Sequence, residues 1–446
     1  MEINFKNTIS DWIDWIKRGE VFPHFQPIIS VQNKSVFGYE VLGRIQTSDG
    51  NLHTLGDFFN AHVYSHNSEE NSHFLDFQQS IDNQIIKKAL YEFKNHSEPY
   101  SKLFINLSPM KLWNFHRYID SHDNLPPIFK EVIELSIDPN RIVIEITEDY
   151  VQYNLELLKP LIAIYKGFGF GFAIDDLGSR ASNLDRIAIF QPEILKVEMN
   201  FLKKSLSDRN YKEILYSVCQ LGENLGISLL FEGIETIQEL TQAMSFGSRY
   251  IQGFIFDKAL NHFPEKEKYK ENMNSFIKSF YLKKQSNISL KLLKENDTER
   301  LIESIQLKIQ FDEKNVNIIS YLEIFSIDKN FFRLYTTNYH GDQISPNYTK
   351  VSNGNIEIEN DIRNNNWSWR PFFSNHIYQS KKNRRNWSIS HSYRDIKEDY
   401  IIKTISITLS FDIQLFIDFF LTMNFEYLCS SVNIPRQLFK LWRLKH

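Results

Sequence analysis

The chain has 446 residues, a formal net charge of −4 and 42% hydrophobic residues, with a pI near 6.4. That length suits two domains, or one large barrel with an extension, and the charge offers no basic field to a nucleic-acid duplex or an anionic membrane. Two distant cysteines, Cys219 and Cys429, do not make a disulfide framework and fit a reducing compartment.

The amino terminus, "MEINFKNTISDWIDWIKRGE", reads as an amphipathic helix without the apolar core of a signal peptide. No apolar run reaches the ~18 residues of a membrane span, so a cytoplasmic protein is expected. From residue 20 to 260, eight short apolar runs follow: "HFQPIISV", "SVFGYEVLGRI", "KLFINLS", "RIVIEIT", "FGFAID", "EILKV", "SLLFEG" and "YIQGF". Only "QNK" separates the first two, which predicts an antiparallel hairpin. Longer helical connections separate the later runs, as parallel pairing requires. The expected fold is therefore α/β, a (β/α)8 TIM-like barrel over residues 1–263 with an antiparallel first strand. Cys219, four residues after Leu215 on a helical face, reads as a core thiol.

A charged helical linker is expected over 264–312, with Tyr269, Met273, Phe276 and Phe280 on one face. Residues 313–446 read as an α+β domain built on an antiparallel sheet. Within it "VNIISYLEIFSID" and "FFRLYTTNYH" are expected strands, "NYHGDQISPN" a turn, and the segment from "NWSWRPFF" onward a helix, a strand, a turn and two long strands. Trp367, Trp369, Arg370, Trp387, Tyr393, Arg394 and Asp395 form an aromatic and charged group. It reads either as the lining of a small-molecule pocket or, preferred, as a packed aromatic core with surface arginines.

The chemistry is concentrated where the barrel runs end. Glu40, Asn106, Glu145, the pair Asp175 and Asp176, Lys196, Glu232 and Gln252 fall in seven successive runs. Each alone has an ordinary structural explanation, a solvent-facing strand residue or a snorkelling lysine. Together they are hard to place so, because strands covered by helices make unpaired charge costly. Carboxylates with an amide oxygen suit magnesium or manganese rather than zinc. Two adjacent aspartates can serve two metal ions, the arrangement that stabilises attacking and leaving oxygens in phosphoester hydrolysis. Lys196 could orient the attacking water or neutralise transition-state charge.

The order of the motifs resembles one family. "FQP" at 25–27, "EVL" at 40–42, "NLSP" at 106–109, "EITE" at 145–148, "DDLG" at 175–178, "KVE" at 196–198, "EGIE" at 232–235 and "QGF" at 252–254 are similar to those of the EAL-domain cyclic di-GMP phosphodiesterases. "GYEVLGRI", "NLDRIA" and "NWSWRPFF" resemble its YkuI-type subgroup, which joins the barrel to a PAS-like or Cache-like sensory domain. The resemblance implies metal-dependent hydrolysis of cyclic di-GMP to linear pGpG by a homodimer, regulated by a small molecule bound to the carboxyl-terminal domain. It implies one metal on Glu40, Asn106, Glu145 and Asp175, and a second on Asp175, Asp176 and Glu232. By the same resemblance Lys196 acts on the nucleophilic water, Gln252 supports the water or metal network, Gln26 and Arg44 contact the dinucleotide, and Glu148 anchors the loop after the fifth run. Glu235 matches the second glutamate of "EGIE", where a surface role is equally open.

The loop after the paired aspartates departs from the family's DDFGTGYSS. Here it is "DDLGSRASN", with Leu177, Ser179, Arg180 and Ala181 as replacements. Glycine permits backbone angles that arginine resists, so a different loop path is expected. That leaves an alternative of another class, a receptor that binds cyclic di-GMP without turning it over. Glu198 stands for the family's aspartate, and Val41 for Ala is expected to be harmless because alternation turns it away from Glu40.

Overall fold

The computed structural model describes residues 9–60, 68–107, 128–146, 158–177, 184–312, 317–351, 354–360, 365–382, 386–395, 401–410 and 412–420. The chain divides into two compact units, Met1–Gln285 and Ser286–His446. The first unit opens with the helix Ile9–Arg18, whose Trp12 and Ile16 are buried. Nine strands follow: β1 (Glu20–Ser30), β2 (Ser35–Gln46), β3 (Leu52–Thr54), β4 (Lys102–Asn106), β5 (Ile142–Ile146), β6 (Gly171–Leu177), β7 (Ile194–Val197), β8 (Ser228–Phe231) and β9 (Tyr250–Gln252).

Their order, β1-β9-β8-β7-β6-β5-β4-β2 with β1 also paired to β2, closes an eight-stranded barrel, and β3 extends β2 outside it. β1 runs antiparallel to both neighbours, and β2, β4, β5, β6, β7, β8 and β9 pair in parallel. The hairpin and the reversed first strand expected from "QNK" are thus present. Alternate residues of each strand face outward under the helices, where Val41, Ile105, Ile144, Ile174, Leu195 and Phe231 join the main core. The inward residues Ile28, Phe104, Val143, Ala173, Ile194, Leu230 and Tyr250 form a separate apolar plug inside the barrel.

The helix Lys270–Lys308 lies across the division between the units. Tyr269 and Met273 belong to the barrel core, and Ile302 and Ile305 belong to the core of the second unit. Small strands β10 (Phe311–Asp312) and β11 (Asn317–Ile318) follow. The strand expected over "VNIISYLEIFSID" is instead mostly the helix Tyr321–Ile327. Tyr321, Ile324 and Phe325 sit three and four residues apart, so one helical face packs all three against the sheet, with Ile324 and Phe325 buried and Tyr321 partly so. A strand would have split Ile324 and Phe325 between opposite faces.

The main sheet of the second unit contains β12 (Phe331–Asn338), β13 (Asn347–Lys350), β14 (Ile356–Glu359), β15 (Trp387–Ile389), β16 (Tyr393–Arg394), β17 (Ile401–Thr408) and β18 (Ile413–Phe420). Its order is β14-β13-β12-β18-β17-β15, with β16 also on β17, and all its pairings are antiparallel. One face is apolar, with Leu334, Ile405, Ile407, Leu415 and Ile417. The other carries Tyr335, Phe416 and the buried polar residues Thr404, Gln414 and Asp418 beneath the helix Pro371–Lys382.

The aromatic group divides between these faces. Trp367 and Tyr393 pack with Tyr335, Phe372, Phe373 and Phe416, Trp387 lies on the apolar face, and Trp369 is 64% exposed with the Arg370 guanidinium 4.5 Å over its ring. Arg333, which sequence reasoning missed, joins Asp395 and Asp418, with Nε donating to Asp418 Oδ2 at 2.7 Å. His376 is fully buried and bonds Ser388 Oγ and Gln414 Oε1, each at 3.0 Å.

Burial lowers His376 to about 4, although the hydrogen bond it gives to Gln414 Oε1 opposes this. The depressed value means that the folded imidazole resists a proton that the unfolded chain accepts near 6.5. Stability from this site is therefore fully present above 6.5 and is lost as pH falls towards 4, by about 3 kcal/mol in all. Urea unfolding of the full chain at pH 7 and pH 4.5 checks this. His376→Gln should shrink the acid loss by about 2–3 kcal/mol relative to wild type.

Candidate metal centre

Strand register lifts a polar layer onto the apolar plug. Two residues beyond Phe104, Val143, Ala173, Ile194, Leu230 and Tyr250 along their parallel strands stand Asn106, Glu145, Asp175, Lys196, Glu232 and Gln252. In the reversed β1 the step runs backward, from Ile28 to Gln26, which lies opposite Glu40 on β2. Since side chains recur on one face every second residue, one step per strand converts the plug into a charged floor at the carboxyl end of the barrel.

The geometry gathers the expected residues. Glu40, Glu145 and Asp175 offer oxygens that all lie within 4.8 Å of one another. Lys196 Nζ stands 2.6 Å from Glu232 Oε1, 2.8 Å from Glu145 Oε1, 3.1 Å from Asp175 Oδ1 and 3.5 Å from Glu40 Oε1. Asn106 Nδ2 donates to Glu40 Oε1 at 3.2 Å, and Gln252 Nε2 donates to Glu40 Oε2 at 2.5 Å and to Gln26 Oε1 at 3.1 Å. Lys196 is 1% exposed and Glu145 0%, so these charges interact with little screening by water.

Among the described residues Asn106 Oδ1 and Gln252 Oε1 are buried without a hydrogen-bond donor, and the buried oxygens of Glu145 and Glu232 have only the Lys196 ammonium close by. Burial pushes the Glu145 carboxyl well above the usual range, Lys196 pulls it back, and Glu40 and Asp175 raise it further. Burial lowers Lys196, but the charges of Asp175, Glu145 and Glu40 outweigh it and hold the ammonium well above its ordinary value. A set of buried oxygens short of donors, with one ammonium for four carboxylates, fits a hard divalent cation.

The remaining expected residues are placed as follows. Arg44 shares the inward face of β2 with Glu40; burial lowers it and the Glu40 charge opposes, while its Nη1 donates to Gly43 O at 2.8 Å. Gln26 is 9% exposed, and its amide is committed to Gln252 and to Asp257 O. Glu232 is followed by Gly233 at φ 61, where a Cβ would come 2.7 Å from Met199 Cβ. That turn leads into a capping box of Thr236 and Glu239. It leaves Glu235 exposed, 3.5 Å from Lys203 Nζ. Glu148, the Asp176 side chain and the loop 178–183 lie outside the described residues. Cys219 is the expected core thiol, raised to about 12 by burial.

A protein-family model described as the EAL domain matches residues 9–259. The chain belongs to the EAL domain family. A second model, for an EAL-domain associated signalling protein domain, matches residues 261–431. This EAL protein is 30% identical over 404 residues to the uncharacterized EAL-domain containing protein YkuI of Bacillus subtilis, covering 90% of this chain and 94% of that one. It superposes on a crystal structure of B. subtilis YkuI in complex with substrate c-di-GMP and calcium, with a TM-score of 0.76 at 28% identity, over 94% of this chain and 100% of that one. The cyclic di-GMP phosphodiesterase RocR of Pseudomonas aeruginosa is 24% identical over 257 residues, 57% of this chain and 61% of RocR. Among the described residues no helix is long and apolar enough to cross a membrane.

The role of Lys196 in this EAL protein is directly testable. Lys196→Met keeps the length of the side chain and removes the buried cation. Breaking a buried ion cluster from one side costs about 3–5 kcal/mol, so the unfolding free energy of the barrel should fall by that amount at pH 7. An unchanged urea midpoint would show that the four carboxylates do not depend on the ammonium.

Proposed function

We propose that this EAL protein hydrolyses cyclic di-GMP to linear pGpG at the polar floor of the barrel, with magnesium or manganese as cofactor. The observation that carries the reading is the cluster of Glu40, Glu145 and Asp175 around Lys196, in a family whose members include cyclic di-GMP phosphodiesterases. Glu40, Asn106, Glu145 and Asp175 would hold one cation, and Asp175, Asp176 and Glu232 a second. Divalent ions held there would supply charge stabilisation at the phosphoryl oxygens and make a bound water more acidic.

The chain's own groups do the rest. The Lys196 ammonium, already among the carboxylates, offers positive charge to the oxygens that gain charge as a phosphodiester bond breaks. Gln252 Oε1, buried without a donor, is an acceptor suited to orient the attacking water. Arg44 can grip a phosphate with two N–H groups, and Gln26 edges the same floor. We assign Glu148 to anchoring the loop after Asp176. The carboxyl-terminal domain is read as a PAS-like or Cache-like regulator with a small-molecule ligand, a reading supported by its antiparallel sheet with helices on both faces, and the active form as a homodimer. A second reading, a cyclic di-GMP receptor without turnover, is favoured by one feature, the sequence "LGSRASN" after the aspartates.

Purified full-length protein with magnesium or manganese is mixed with cyclic di-GMP, and pGpG is followed by chromatography. The enzyme reading expects product, and at least a ~100-fold loss in Glu40→Ala, in line with the loss of a group that holds the metal. Saturable binding without product under either metal establishes the receptor instead. In the same assay Arg180→Gly with Ala181→Tyr should raise turnover if the loop limits it.

A further inference from the structure

The floor of the site is held from outside the polar layer. Gln26 Nε2 donates to the main-chain oxygen of Asp257 at 3.3 Å, which turns Gln26 Oε1 towards Gln252 Nε2. Gln252 Nε2 then spends its second proton on Glu40 Oε2. Reversing the Gln252 amide would face its oxygen towards a carboxylate, so the two amides form one relay held by the Glu40 carboxylate at one end and the Asp257 carbonyl at the other. Neither glutamine amide has another donor or acceptor that fixes it among the described residues.

Asp257 itself is anchored by its side chain. Its Oδ2 accepts from Lys268 Nζ and from Tyr269 Oη, each at 2.5 Å. Burial raises the Asp257 carboxyl, but these two hydrogen bonds and the Lys268 charge prevail and keep it ionised below its ordinary value. Tyr269 is 4% exposed in the barrel core and immediately precedes the helix Lys270–Lys308. The segment between the site and this anchor has little slack. Gly253 lies so close to Ile234 that a Cβ would fall 2.1 Å from Ile234 O, and Phe25 and Leu260 exchange main-chain hydrogen bonds at 2.7 and 2.9 Å.

We infer that Asp257 is a positioning residue of the metal centre: clamped by Lys268 and Tyr269 at the start of the long helix, it holds through its carbonyl the outer end of the Gln26–Gln252 relay and so steadies Glu40 at the inner end. The clamp ties the start of the helix to the charged floor through Gln26. The inference shares the metal centre with the proposed function, and it has one readout that does not depend on metal or turnover.

That readout is the side-chain amide spectrum of the full chain labelled with 15N-glutamine, with Gln252 and Gln26 assigned from their single substitutions. In wild type a Gln252 amide proton bonded to a carboxylate should resonate at low field. Asp257→Ala should move that resonance upfield as the relay loosens and weaken manganese binding about 10-fold by calorimetry, the scale set by outer partners of metal ligands. Tyr269→Phe, which keeps the ring packed, should move both readouts in the same direction, and Asp257→Asn, which keeps an acceptor, should restore most of them. In a Gln26→Ala background Asp257→Ala should have no further effect on manganese affinity. Unchanged amide signals in Asp257→Ala and Tyr269→Phe, or additive losses in the Gln26→Ala background, would overturn the inference. A wild type that shows the low-field amide but binds no manganese would sink the enzyme reading and leave the clamp standing.

Discussion

One ammonium among four carboxylates is the constraint on which the barrel turns. At an effective dielectric near 20, a pair of unit charges about 4 Å apart interacts by about 4 kcal/mol. The attractions of Lys196 to Glu40, Glu145, Asp175 and Glu232 are largely offset by the mutual repulsion of Glu40, Glu145 and Asp175. Little is left to cover desolvation, which costs several kcal/mol per buried ion. A core selected for stability alone would not keep such a layer, and its oxygen-rich donor set suits a divalent cation.

The barrel makes this cost tolerable by confining it. The apolar plug of Ile28, Phe104, Val143, Ala173, Ile194, Leu230 and Tyr250 fills the interior beneath the charges, and the outer core packs the helices against the opposite strand faces. The change of character is confined to the carboxyl ends of the strands, so the ladder hydrogen bonds and the helix packing carry the fold beneath the charged floor. The second unit shows a related division. Its sheet has one apolar face and one buried polar face, with Arg333 held by Asp395 and Asp418 and with His376 bonded on both ring nitrogens.

Most of the barrel was legible because its signal has period two and is one-sided. A polar residue where a covered strand should be apolar stands out at Glu40, Glu145, Asp175 and Lys196 without any coordinates. Contacts that join residues distant in sequence were not legible. Asp257 and Tyr269 look like ordinary loop and core residues, and their importance depends on a main-chain carbonyl meeting Gln26. Arg333 and Asp418 are 85 residues apart, and nothing in either strand announces the pairing. "SYLEIFSID" failed for another reason. A short apolar run fits both periods, and only burial of Ile324 beside Phe325 decides for the helix.

The claim beneath all of this is that the floor is built to take a divalent cation. Calorimetric titration of manganese into the full-length protein tests it directly, with Glu145→Gln as the comparison. The account predicts saturable binding by wild type that is lost in Glu145→Gln, a substitution that keeps shape and removes a buried ligand charge. Absence of binding by wild type, or equal binding by the variant, would contradict it.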